Sequence, residues 1–202
     1  MFWFSNKKEE EKNKNFNIIV SGYGGQGVIT LAELISKIAL SKELDVRQAE
    51  IHGLAQRGGS LQAHIRFGSN LHSPKVKRAG ADLIISLDLL EAYRSCYWAN
   101  PNKTIILSEK EIYWPYEEKI ESEKIIEEIK KFAKTVDLEE AGKIATEITG
   151  NPAPANIYLL GYAIAKKYLP FTKEETWNII ESNLDKSYLE SNKKVFEKAF
   201  EI

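Results

Sequence analysis

A glycine-rich turn between an apolar run and an amphipathic segment limits the fold of this chain more than any other feature. Asn17 to Ser21 is a short β-branched run, and Gly22-Tyr23-Gly24-Gly25-Gln26-Gly27 follows it directly. From Val28 to Leu40, apolar residues return at helical spacing. This order predicts a strand, a tight turn and a helix, the context in which the pattern G-x-G-x-x-G indicates a binding site.

The next two segments predict strands of different character. Val46 to Ile51 fits a second strand. Ser60 to Phe67 alternates apolar residues with a polar set, Gln62, His64 and Arg66. A strand with one polar face is typical of antiparallel pairing.

The remainder of the chain alternates apolar strand patterns with helical ones. Residues 82–86 and 103–107 predict buried strands separated by a helix, residues 122–134 predict a helix whose apolar stripe includes Phe132, and residues 136–138 predict a last strand. The pattern is helical from Glu139 onward. We therefore expect an α/β fold: a Rossmann-like, mostly parallel sheet flanked by helices, with one antiparallel strand and a C-terminal helical part. Residues 16–202 are expected to form a single domain, preceded by a flexible, charged leader over residues 1–15.

Composition excludes several classes of protein. The chain has 202 residues, with 28 basic and 29 acidic side chains, so it lacks the basic excess typical of nucleic-acid binding. Its apolar stretches are shorter than the roughly 20 residues of a membrane helix, so we expect a cytoplasmic protein without a membrane partner. The single cysteine, Cys96, excludes an internal disulfide and a cysteine-ligated cluster or zinc site built within this chain.

Charge is nevertheless uneven along the chain. From Arg47 to Arg78 there are six basic residues and one acid, Glu50. Such a segment favours an anionic ligand or the acidic surface of a partner, and a solvated face is the alternative.

The glycine turn is the strongest candidate site. Its backbone amides can face a phosphate, and the dipole of the following helix adds a partial positive charge. A tight turn without a ligand is the structural alternative. The residues predicted to bind a cofactor here are Gly22, Gly24, Gly25, Gln26 and Gly27.

Two better-known phosphate sites fit the sequence poorly. A Walker A loop needs lysine after its last glycine, where Val28 stands. A classical NAD site needs an acid about 20 residues further on, at the tip of the second strand. Glu50 lies 23 residues beyond Gly27 and matches loosely.

No other catalytic pattern is evident. His52, His64 and His72 lack metal-ligand spacing, and His64 is explained as part of the polar face of a strand. Cys96, between aromatic neighbours, is predicted to be a packed thiol. No nucleophile comes with a recognisable base, so we assign no catalytic residue and no metal site to this chain alone.

Two glycine-bearing segments together resemble a known family. Ser21 to Gly27, paired with the segment from Glu50 to Ser60, is similar to the gamma-type domain of 2-oxoacid:ferredoxin oxidoreductases, and within it to the indolepyruvate branch. The segments starting at Asn156 and Tyr188 resemble the C-terminal helical part of that domain. The resemblance covers roughly residues 16 to 202.

The resemblance implies a non-autonomous subunit that is inactive alone. The enzyme would oxidatively decarboxylate a 2-oxoacid, indolepyruvate or another aryl pyruvate, to an acyl-CoA. Thiamine diphosphate and iron–sulfur clusters would lie on a large partner subunit, ferredoxin would accept the electrons, and this chain would help to bind coenzyme A. The residues expected at the site are then joined by Arg57, Gly58 and Gly59 as cofactor-binding residues and by Glu50, His52 and Gln56 as interface or site-lining residues.

Two other functions are compatible with the same turn. One is an autonomous nucleotide-binding regulatory module, and the other is a free-standing NAD-dependent dehydrogenase. An autonomous binder should retain a nucleotide when purified alone, whereas a subunit should need its partner for activity.

Overall fold

The computed structural model describes residues 15–53, 58–113 and 121–202. Apart from Asn15, the predicted leader lies outside these residues. Within these ranges, six strands form one sheet in the order β2-β3-β1-β4-β5-β6. Their bounds are β1 Phe16–Tyr23, β2 Asp45–His52, β3 Ser60–Gly68, β4 Leu83–Ser86, β5 Ile105–Glu109 and β6 Thr135–Glu139.

The strand directions confirm the predicted mixed sheet. β3 pairs antiparallel with both of its neighbours, β2 and β1, whereas the pairs β1–β4, β4–β5 and β5–β6 are parallel. β3 starts where β1 ends, since Ser60 pairs with Tyr23. The glycine turn after β1 and the segment before β3 therefore meet at the same end of these two strands.

Helices cover both faces of the sheet. In the described residues they are α1 Val28–Ser41, α2 Leu89–Ser95, α3 Ser122–Lys130, α4 Ala141–Thr149, α5 Ala155–Ala165, α6 Lys173–Asn183 and α7 Lys186–Lys198, with a 3₁₀ turn at Cys96–Trp98. The larger core joins one face of the sheet to α1 and to the C-terminal helices, and the smaller core joins the other face to α2 and α3. Residues 156–164 of α5 are all buried, so this helix forms the centre of the helical part. None of the described helices is both long enough and apolar enough to cross a membrane.

One sequence expectation needs correction. The helix predicted over residues 122–134 ends at Lys130, because the amides of Lys131 and Phe132 turn back to carbonyls three residues earlier. The side chain of Phe132 consequently leaves the apolar stripe and is 40% exposed.

The polar face of β3, predicted from the alternation, is buried at His64. His64 is only 1% exposed; its Nδ1 accepts a hydrogen bond from the backbone N–H of Val76 at 3.1 Å. The ring of Trp98 meets it edge-on at 5.1 Å between centroids. The chain between β3 and β4 and the 3₁₀ turn therefore cover His64, so this part of the polar face is buried.

Candidate functional site

The glycine turn is closed by its own glutamine. The backbone N–H of Tyr23 donates to Oε1 of Gln26 at 2.7 Å, and the N–H of Gln26 donates to the carbonyl of Tyr23 at 3.1 Å. Gly25 and Gly27 adopt φ values of 105° and 86°, which glycine reaches at little cost. The side-chain oxygen of Gln26 thus serves the turn itself.

The second glycine segment packs against the first. The N–H of Gly24 donates to the carbonyl of Gly59 at 2.9 Å, and the N–H of Gly58 donates to the carbonyl of Gly24 at 3.2 Å. The predicted glycines from the two segments are therefore brought together at one edge of the sheet. Gln56 and Arg57 fall between them, outside the described residues.

The N-terminus of α1 is open. Gly27 is its N-cap residue, and no side chain in the described part of the chain caps the helix. The Gly27 carbonyl accepts the first helical hydrogen bond, from Leu31 at 2.9 Å, and the amides of the first turn have no acceptor within the helix. With the helix dipole, these amides form an environment suited to an anion.

A cleft of about 460 Å³ adjoins this helix end. One wall is the turn and Thr30, and the opposite wall comes from the C-terminal helices and the chain between α4 and α5. The residues of this second wall include Thr149, Asn151, Pro154, Asn156, Leu184, Tyr188, Ser191 and Asn192. None of the described residues lining the cleft is charged, so its polar groups are hydroxyls, amides and backbone.

Sequence reasoning did not place these C-terminal residues at the site. The available signal was the resemblance of the segments starting at Asn156 and Tyr188, which locates them in the family's helical part but not against the turn. Packing of α5 against α1, and of α7 against α5, brings both segments to the cleft.

A second cleft, of about 430 Å³, lies on the other side of Gly25 and Gln26. Asp88, Glu109 and Glu111 line it. Burial raises the pKa of Asp88 and Glu109 above the usual range, although backbone amides donate to both carboxylates. Oε2 of Glu109 accepts the N–H of Gly142 at 2.7 Å. The two clefts therefore differ in charge, and an anion at the turn is favoured on the uncharged side.

The structure does not bring Glu50 to the glycine turn. Glu50 and His52 are exposed on β2, and β3 lies between β2 and β1. Two strand spacings separate β2 from β1, about 10 Å. The acid that a classical NAD site needs next to the turn is therefore absent from this position.

Cys96 has the features of an unreactive thiol. It is 6% exposed, and its Sγ lies 3.6 Å from the carbonyl oxygen of Ala92. Burial raises the pKa of the thiol to about 12, which keeps it protonated at neutral pH. The prediction of a packed thiol is confirmed. Within the described ranges, no group of three or more His, Cys, Asp or Glu side chains is arranged to hold a metal ion.

The fold is that of oxidoreductase subunits of known structure. Pyruvate oxidoreductase subunit PORC from Thermotoga maritima superposes with a TM-score of 0.68 at 18% identity, covering 94% of this chain and 97% of that one. The 2-oxoglutarate:ferredoxin oxidoreductase from Magnetococcus marinus, whose structure contains 2-oxoglutarate, coenzyme A and succinyl-CoA, also gives 0.68, at 15% identity, over 93% of this chain and 30% of its own.

Sequence comparison identifies the family. The chain belongs to the pyruvate ferredoxin/flavodoxin oxidoreductase family, whose sequence profile it matches over residues 17–202. It is 32% identical to indolepyruvate oxidoreductase subunit IorB of Archaeoglobus fulgidus, over 91% of this chain and 93% of that protein. The protein of the same name from Methanothermobacter thermautotrophicus is 31% identical, over 92% and 96%. The family resemblance and the α/β fold predicted from the sequence are confirmed.

Proposed function

We propose that this chain is a non-autonomous subunit of a 2-oxoacid:ferredoxin oxidoreductase that acts on indolepyruvate and related aryl pyruvates. The observation that carries the proposal is the open N-terminus of α1, at a glycine turn that borders an uncharged cleft, in a chain of this family. Nearly full-length similarity to proteins named as indolepyruvate oxidoreductase subunits supports the choice of substrate.

Coenzyme A fits the groups that line this cleft. Its phosphates need hydrogen-bond donors and positive potential, and the turn offers backbone amides and a helix dipole. Gly25 and Gly27 would hold the phosphates from the side of α1, with Gly58 and Gly59 alongside and Arg57 supplying a charge. The role of this chain is then to bind and orient coenzyme A, while the acid-lined cleft beyond Gly25 disfavours phosphate on its side.

Iron–sulfur clusters do not fit this chain. The only thiol, Cys96, is buried and its pKa is raised, and a cluster needs about four ligands. We infer that the clusters and thiamine diphosphate belong to a larger partner subunit, where thiamine diphosphate supplies the nucleophile for decarboxylation. In the whole enzyme the carboxyl group would leave as carbon dioxide, the acyl group would go to the thiol of coenzyme A, and the two electrons released would go to ferredoxin.

Glu50, His52 and Gln56 are proposed as contacts with that partner. The exposure of Glu50 and His52 on the edge strand β2 supports this role. In sequence, β2 is followed by the segment that contains Gly58 and Gly59, which contact the glycine turn. A partner bound along β2 would therefore be close to the turn.

The proposal is tested by reconstitution. The chain is purified alone and after co-expression with its proposed large partner, and each preparation is assayed for coenzyme A-dependent reduction of ferredoxin by indolepyruvate, phenylpyruvate and pyruvate. We expect activity only in the complex, with aryl pyruvates preferred. Oxidation of a 2-oxoacid by the chain alone would refute the subunit assignment, and a bound nucleotide without any partner would favour the autonomous regulatory module.

Arg57→Ala tests the charged part of the site. We expect weaker use of coenzyme A or weaker association with the partner, because a hydrogen bond from a charged group contributes about 1.5–3 kcal/mol. The melting temperature should stay unchanged. Lys124→Ala is the control, since Lys124 is exposed on α3, away from β2, and pairs with Glu121 at 2.7 Å. Unfolding of the Arg57 variant would instead make Arg57 a structural residue.

A further inference from the structure

One buried amide links the two walls of the uncharged cleft. Asn156, near the start of α5, is 6% exposed. Its Nδ2 donates to the carbonyl of Gly27 at 3.4 Å, across 129 residues of sequence. Its Oδ1 accepts the N–H of Ile157 at 2.8 Å. The backbone N–H of Ile157 in α5 holds the amide oxygen, so the amide nitrogen faces the glycine turn.

The partner of this amide is the N-cap carbonyl of α1. Besides the bond from Asn156, this carbonyl accepts the N–H of Leu31 at 2.9 Å. A Cβ placed on Gly27 would come within 2.5 Å of Nδ2 of Asn156. A side chain at position 27 would therefore force Asn156 to shift, in addition to requiring a φ of 86°.

The fold has little need of this hydrogen bond. α1 is already held against the sheet by buried apolar residues such as Leu31, Ile35 and Ile38, and a bond of 3.4 Å is long for an amide donor. The bond instead fixes the N-terminus of α1, where the backbone amides are open. Its effect should therefore be larger on a ligand at that end than on global stability.

We propose that Asn156 is a positioning residue, which acts through Gly27 to hold the open amides of α1 in the geometry that binds the phosphates of coenzyme A. This rests on the proposed function. The Asn156 amide is a neutral donor that holds the start of α1. The substitution Asn156→Asp keeps nearly the same shape but has no N–H for the Gly27 carbonyl, so it should not replace asparagine.

A stability cycle tests the contact without any ligand. Melting temperatures of the full chain are measured for Gly27→Ala, Asn156→Ala and the double variant. We expect the double variant to melt higher than the sum of the single effects predicts, because removing the amide relieves the close approach to the new methyl group. Gly25→Ala is the reference, since Gly25 has a positive φ but no atom of the residues that the structure describes lies within 4 Å of the added Cβ. Additivity at Gly27 would overturn the proposal.

A kinetic test examines the positioning role in the reconstituted enzyme. For Asn156→Ala and Asn156→Asp we expect the KM for coenzyme A to rise roughly threefold to tenfold, the range for loss of one hydrogen bond, while the KM for the 2-oxoacid stays constant. Asn178→Ala is the control, because Asn178 is exposed on α6 and does not line the cleft. A purely structural Asn156 would lower the melting temperature without changing this KM.

The kinetic test also separates the two proposals. If Gly25→Ala raises the KM for coenzyme A and the Asn156 variants do not, the positioning role is refuted and the proposed site stands. If none of these variants changes that KM, the proposed coenzyme A site fails, and the positioning role fails with it.

Discussion

Protonation of His64 should destabilise the folded chain in mildly acidic solution. Nδ1 of His64 accepts the N–H of Val76, so the neutral ring carries its proton on Nε2, and an added proton on Nδ1 would face a donor. Burial, with a smaller contribution from the charge of Lys75, lowers the pKa of His64 from 6.5 to about 4. The His64 ring is therefore neutral in the folded chain at neutral pH.

The magnitude follows from proton linkage. The unfolded chain takes up the proton at a higher pH than the folded chain, so stability rises with pH between the two pKa values. The contribution of His64 is complete above pH 6.5 and is lost as the pH falls toward about 4. At 1.36 kcal/mol per pKa unit, this loss is about 3 kcal/mol.

Urea denaturation across this pH window, followed by tryptophan fluorescence, measures the effect. Asp88 and Glu109 oppose it, since their raised pKa values make the folded state gain protons and stability as the pH falls. The comparison is therefore with His64→Asn, whose Oδ1 can still accept the N–H of Val76. This variant should lose the His64 part of the pH dependence, whereas His72→Asn, at an exposed histidine, should keep it. Equal pH dependence in wild type and His64→Asn would refute the reasoning.

Two further substitutions test the carboxyl edge of the sheet. Gly25→Ala should cost about 1 kcal/mol through its φ of 105° alone, because none of the described residues crowds the new methyl group; a melting temperature equal to that of the wild type would contradict this. Glu109→Gln should cost about 1–3 kcal/mol in denaturant titration, since the carboxylate accepts the amides of Lys110, Glu111 and Gly142 and the new NH₂ group would face a donor. A loss within the error of the titration would mean that water replaces these bonds.

Local pattern was enough to predict most of the architecture. The β-branched run before Gly22 and the helical spacing after Val28 define strand, turn and helix because such patterns act over a few residues. The alternation from Ser60 to Phe67 likewise predicted the antiparallel strand β3. The meeting of the two glycine segments was expected from the family resemblance, and the backbone bonds between Gly24, Gly58 and Gly59 explain it.

Contacts between distant segments could not be predicted in this way. The alternation of β3 places His64 on the polar face, but its burial depends on Trp98 and Val76, which arrive from later in the chain. Asn156 meets Gly27 across 129 residues, and no local pattern encodes that distance. The exclusion of Glu50 from the turn depends on strand order, because β3 inserts between β2 and β1. Long-range packing depends on how whole faces fit together, so only the folded chain reveals which side chains line the cleft.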